Sequence, residues 1–299
     1  MTGWRRCSTR RTRTRRLSRK FVLVAALRFI RFSHTVFALP FALGAMLAAA
    51  NGLPGWRLAG LIVLAMVFAR TAAMTFNRLA DWEMDKRNPR TAGRHKLVSF
   101  QVAVVMLVAS SAGFVATTYF INKLCFWLSP IALAIVLLSS LTKRFTHAAQ
   151  FFLGLALSVA PVGAWLAVTG AFSLPPLVLA LAVLLWVAGF DLIYATQDHE
   201  FDKAEGLHSM VVKLGVPRAL GLARALHTAA FAGLLAFGWF AGLGVGYSVA
   251  AVAICGMLVY EHRVASRLDV DAVNRAFFLS NAIVGALFVA GVAADVFLR

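Results

Sequence analysis

A chain of 299 residues in which 61% are hydrophobic and only 14% charged lies outside the soluble class, where roughly 45–50% of residues are apolar and about 25% charged. Its 30 Lys and Arg against 12 Asp and Glu leave a net charge of +18. The apolar content excludes disorder, too little polar surface remains to cover a water-soluble core, and the scattered Cys7, Cys125 and Cys255 exclude a disulfide scaffold.

In chain order, the first element is a basic arm. Residues 1–20 carry nine Lys and Arg, half of the net charge. The arm, residues 1–25, reads as a disordered cytoplasmic segment that touches anionic headgroups and helps fix topology; a nucleic-acid partner is not expected. Arg28 and Arg31 interrupt the apolar stretch that a secretory signal would need. Residues 26–299 then read as one transmembrane domain.

A window of about 20 apolar residues per span gives nine candidate helices. They cover 34–51, 56–79, 98–120, 125–141, 147–170, 174–195, 219–241, 246–264 and 276–298. The expected fold is therefore all-α, a polytopic membrane helix bundle. With the N-terminus inside, the second, fourth, sixth and eighth connections face the cytoplasm. These hold most of the basic loop residues, among them Arg90, Arg94, Lys143 and Arg144, whereas the odd connections offer Arg57 and Lys123. The expected location is the cytoplasmic (inner) membrane.

The positions of the acids are more informative than their number. Eight of the twelve fall in two windows, one from Asp81 to Asp85 and one from Asp191 to Glu205. Asn77, Asp81 and Asp85 are spaced i, i+4, i+8, and so are Tyr194, Asp198 and Asp202, so each set shares one helix face. Asp81 and Asp198 are 117 residues apart, as are Asp85 and Asp202. The chain thus reads as two halves, each presenting an acidic face at the same side of the membrane. Close carboxylates repel one another unless a divalent cation lies between them. Mg²⁺ suits such a site, because it takes one or two carboxylates together with substrate phosphates and water. Two facing clusters would clamp a diphosphate, with Arg90, Arg94, Lys143 and Arg144 completing the neutralisation.

These residues resemble the UbiA superfamily of intramembrane prenyltransferases. Asn77 to Asp85 is similar to that family's N-x-x-x-D-x-x-x-D motif, and Arg90-Thr91-Ala92-Gly93-Arg94 to the R-T-x-x-R that follows it. Asp191 to Asp202 resembles D-x-x-Y-A-x-x-D-x-x-x-D, Gly206 to Ser209 a G-x-x-S, and Thr142-Lys143-Arg144 the basic loop between the fourth and fifth spans. Arg78 departs from the pattern, since many members have Asp there. The resemblance implies a nine-helix bundle of two pseudo-repeated halves around a central cavity. It also implies Mg²⁺-dependent transfer of a polyprenyl group from polyprenyl diphosphate to an aromatic acid, 4-hydroxybenzoate or alternatively a naphthoate of menaquinone synthesis. In these roles Asn77, Asp81, Asp85, Asp198 and Asp202 hold Mg²⁺. Arg70, Arg90, Arg94, Lys143 and Arg144 bind diphosphate. Asp191 orients the acceptor or takes the ring proton, or else pairs with Arg70. Tyr194 is a supporting donor or a packed aromatic, and Arg31 and His34 are acceptor contacts or interfacial anchors. The reading of another class is a multi-pass transporter, which would place ionisable groups near the midplane, often in inverted repeats.

Overall fold

The computed structural model describes residue 29 and residues 37–87, 97–204, 206, 208–267 and 270–298. The expected arm, residues 1–25, and the basic run around Arg90 and Arg94 lie outside the described residues. So do Arg31 and His34.

Among the described residues the secondary structure is helical throughout. The elements are α1 (Leu39–Ala50), α2 (Trp56–Ala80), α3 (Trp82–Arg87), α4 (Phe100–Ile121), α5 (Lys123–Leu138), α6 (Ala149–Thr169), α7 (Leu174–Ala195), α8 (His199–Ala204), α9 (Met210–Leu214), α10 (Val216–Phe240), α11 (Val245–Ala265) and α12 (Val270–Phe297). Two 3-10 turns, Ser139–Arg144 and Thr196–Asp198, extend α5 and α7. Eight of these helices are long and apolar enough to cross a bilayer. The first expected span is a shorter apolar helix, the 12 residues of α1. It enters on Pro40 in its first turn and stops where Asn51 takes a left-handed conformation before Gly52.

Local chemistry sets the other helix ends. Ser99 caps α4 by accepting from the Val102 N–H. The Asn122 side chain accepts from the Cys125 N–H at 2.8 Å, and its amide donates to the Leu166 carbonyl at 2.8 Å. One side chain therefore starts α5 and fastens it to the end of α6. The α11 N-terminus is capped from outside: the buried Asp295 carboxylate on α12 accepts from the N–H groups of Gly244, Gly246 and Tyr247 at 2.7–3.1 Å.

The helices pack as a ring. In the first half α2 packs on α4 and α4 on α5; in the second α7 packs on α10 and α10 on α11. The halves join where α6 meets α1 and α5, and α12 closes the ring between α11 and α1. Each half thus repeats one order, an acid-bearing helix followed by a short extension and a hairpin of two spans. The solid core lies toward the second half, where Phe41, Trp186, Phe190 and Phe288 stack with ring centroids 4.8–5.0 Å apart. Gly154 lets α6 approach the Leu184 carbonyl of α7 so closely that a Cβ would collide with it.

Candidate functional site

A cavity of about 820 Å³ runs beside this core. Along α6 it is lined from Ala149 to Ala167, a stretch of 19 residues or roughly 27 Å of helix, which nearly matches the hydrocarbon thickness of a bilayer. Its length is walled by small and apolar residues of α2, α5 and α6, among them the exposed Ile131 and Leu155. Its charged residues gather toward the end where α2 and α7 finish.

The acids are presented there by helix register. The Asp81 N–H bonds to the Asn77 carbonyl at 3.1 Å, and the Asp85 N–H to the Asp81 carbonyl at 2.7 Å. These two bonds carry the i, i+4, i+8 spacing across Asp81, where the chain leaves helical geometry between α2 and α3. The equivalent continuation of α7 is the 3-10 turn ending at Asp198, followed by α8 with Asp202. Arg70, Asn77, Asp81, Asp85, Lys143, Arg144, Asp191, Tyr194, Asp198 and Asp202 all line the one cavity.

Basic groups sit between the two acidic faces. An Arg144 Nη donates to the Ala80 carbonyl, at the free C-terminal end of α2, and lies 3.3 Å from Asp81 Oδ1. Burial raises the Asp81 carboxyl above the usual carboxylate range; Arg144 opposes the rise and the charge of Asp85 adds to it. Lys143 is reached by solvent through the open cavity, and its ammonium feels the charges of Asp191, Asp202, Asp198 and Asp81. Asp191 faces Lys143 and Asp198. The Tyr194 ring packs on Phe277 with centroids 4.7 Å apart. The segment after α8 is tied to the basic turn: the His208 N–H donates to the Lys143 carbonyl at 3.2 Å, and the rings of His147 and His208 are in contact.

Two features carry no signal that spacing could reveal. Arg78, a departure from the family pattern, is 5% exposed and pairs with Asp85 at 3.5 Å. In the second half a buried polar cluster joins three helices: His227 contacts the Trp186 carbonyl at 3.1 Å and His262 at 3.0 Å, with Glu261 3.9 Å away.

The residues at the cavity mouth suit a hard divalent cation. All the donors are oxygens, from four aspartates and an asparagine at the end of α2 and in the short elements that follow α2 and α7. Among the described residues no three His, Cys, Asp or Glu side chains form a ready-made metal cage. It is the all-oxygen donor set that suits Mg²⁺, which takes few protein ligands and completes its octahedron with phosphate and water.

A bundle of long apolar helices around a cavity with an acidic, oxygen-rich mouth defines an integral membrane protein. The model of the UbiA prenyltransferase family matches residues 38–282, and the chain belongs to that family. It is a prenyltransferase. The chain is 32% identical over 254 residues to the 4-hydroxybenzoate octaprenyltransferase of Nitrosospira multiformis, covering 84% of this chain and 87% of that one. It is 30% identical over 253 residues to the enzyme of the same name from Vibrio parahaemolyticus, with 83% and 87% covered. Among solved structures, a UbiA homolog from Aeropyrum pernix K1 is similar with a TM-score of 0.79 and 33% identity, covering 88% of this chain and 98% of that one. A UbiA homolog from Archaeoglobus fulgidus, bound to GPP and Mg²⁺, shares the fold with a TM-score of 0.70 at 24% identity, covering 91% and 99%.

Proposed function

We propose that the protein transfers a polyprenyl group from polyprenyl diphosphate to 4-hydroxybenzoate in an Mg²⁺-dependent step of quinone synthesis. The observation that carries this reading is the convergence of both acidic faces, Lys143, Arg144 and Asp191 on one cavity that extends through the apolar bundle. The names of the relatives support the acceptor, and the GPP and Mg²⁺ of the Archaeoglobus homolog support the donor and the ion.

Asn77, Asp81, Asp198 and Asp202 would hold Mg²⁺, with Asp85 one turn further out. When bound, the ion neutralises charge on the departing diphosphate. Arg70, Lys143 and Arg144, together with Arg90 and Arg94, hold diphosphate oxygens by charge-assisted hydrogen bonds. As the allylic C–O bond breaks, the apolar walls exclude water from the allylic cation, so the aromatic ring is the nucleophile that meets it. The new C–C bond forms and the ring proton leaves. Asp191, at the cavity wall beside Lys143, orients the acceptor or receives that proton, and Tyr194 supports the neighbouring face. The prenyl tail runs along α6 to the lipid. The acidic mouth faces the cytoplasm, as the Lys and Arg bias supports, in the cytoplasmic membrane.

The test is transfer in vitro from one long-chain polyprenyl diphosphate, with 4-hydroxybenzoate and a dihydroxynaphthoate offered together. Prenylated benzoate is the expected product. Product from the naphthoate alone would replace the acceptor and leave the reaction class standing.

A further inference from the structure

Arg78 has no part in the reading above, yet it is almost fully enclosed at the acidic mouth. It follows Asn77 directly on α2, and across the turn at Asp81 its side chain meets that of Asp85 on α3. Its Nη1 lies 3.5 Å from Asp85 Oδ2, and its Nε reaches the Phe29 carbonyl, also at 3.5 Å. Phe29 is itself buried, packed among Met74, Leu79, Trp82 and Ala103. The guanidinium is thus fixed on both sides.

A second arginine–aspartate pair lies beside it, and the two differ in their access to water. The side chains of Arg78 and Asp85 are 6% and 13% exposed, whereas those of Arg144 and Asp81 are 46% and 29% exposed. In the wet pair Arg144 is free to exchange Asp81 for another partner, because solvent covers either charge as they part. In the dry pair separation would leave enclosed charges uncompensated, which a low-dielectric site resists strongly. One aspartate of the first face is therefore exchangeable, and the other is permanently matched.

We propose that Arg78 is a positioning residue that acts as a resident counter-cation for Asp85, so that the first face offers Asn77 and Asp81 to a divalent ion while Asp85 is kept off it. This rests on the metal reading above and narrows its ligand set. The second face carries Asp198 and Asp202 on the equivalent turns and has no arginine at the position equivalent to Arg78; there the residue before Asp198 by three is Ala195, and Tyr194 takes the place of Asn77. The two faces accordingly differ in charge although they match in spacing.

The experiment is a titration of the purified full-length chain with Mn²⁺, an ion that binds the same oxygen ligands, following free Mn²⁺ by electron paramagnetic resonance. The Arg78→Ala chain is expected to bind one additional Mn²⁺, or to bind Mn²⁺ on the order of tenfold more tightly, because a positive charge is removed from beside Asp85 and the metal face. Arg78→Lys, which keeps the charge, should retain the stoichiometry of the unaltered chain. Asp85→Asn should also retain it, since a carboxylate already matched by Arg78 contributes no ligand. Unchanged or weaker Mn²⁺ binding by Arg78→Ala, or loss of an ion in Asp85→Asn, would overturn the proposal. If Arg78→Ala does not fold, the Asp85→Asn result decides alone. Absence of Mn²⁺ binding by the unaltered chain would instead remove the metal reading itself, an outcome separable from equal binding by all the variants.

Discussion

The two halves of the bundle carry matched acidic faces but are packed in different ways. In the spans of the first half, α2, α4 and α5 with its 3-10 turn, only 11–17% of the apolar window is buried. In the later spans, α6, α7, α10, α11 and α12, the share is 33–56%. The second half is filled by aromatic residues around α7, joined by Phe41 of α1, whereas the cavity is left among α2, α5 and α6. One half therefore works as a rigid base and the other as a wall around a space. The proposed function would account for the difference: a prenyl chain would need a space along α6, and the charged mouth a fixed platform for Asp191, Asp198 and Asp202.

If both faces act on one diphosphate, breaking either should have the same large effect. Asp81→Ala and Asp198→Ala are each expected to lower kcat/KM by on the order of 10²–10³-fold, the loss seen when a preorganised charge-stabilising group is removed. The double variant should lose less than the product of the two, because the residues act as a unit. A fall confined to one half would show that the matched spacing has no functional counterpart.

The packing contrast predicts opposite outcomes for one substitution made in each half. Ala188, on α7, has 0% exposure, so Ala188→Phe should overpack the base and destabilise it by about 1–3 kcal/mol. Ala69, on α2, lines the cavity. Ala69→Phe should leave the thermal unfolding midpoint in detergent nearly unchanged and reduce transfer from long-chain donors. Equal destabilisation by the two would contradict the picture of base and wall.

The smallest expected effect lies far from the mouth. Asp295→Ala removes the carboxylate that caps three N–H groups of α11, and should lower stability by about 1–2 kcal/mol. Specific activity per folded molecule should be retained, as measured by transfer after size-exclusion chromatography.

Much of this arrangement is legible in the amino-acid sequence. Spans with hydropathy near 2 stand out in the chain, and the nine expected positions agree with eight long helices and the shorter α1 to within a few residues. The i, i+4, i+8 spacing brings Asn77, Asp81 and Asp85 to one cavity, each step carried by one backbone hydrogen bond across the turn at Asp81. The contrast between the halves is not legible. Mean hydropathy is 1.8–2.2 in the open half and 1.3–2.3 in the filled one, and lipid tails are as apolar as leucine, so a lipid-facing side and a core side look alike. Arg78 also reads as a missing ligand in the sequence, since its pairing depends on where a long side chain reaches and on a carbonyl 49 residues away. The alternatives for Asp191 differ in the same way. The charges it faces belong to Lys143 and Asp198, and only the folded arrangement of the basic turn brings Lys143 there.

The most direct test of the account is prenyl transfer by the purified full-length chain, with polyprenyl diphosphate and 4-hydroxybenzoate, measured with Mg²⁺ and with excess EDTA. Product should form with Mg²⁺, fail to form with EDTA, and be almost lost with Mg²⁺ in both Asp81→Ala and Asp198→Ala. Transfer at the native rate in EDTA, or by either variant, would contradict the claim that the two halves clamp one diphosphate through divalent ions.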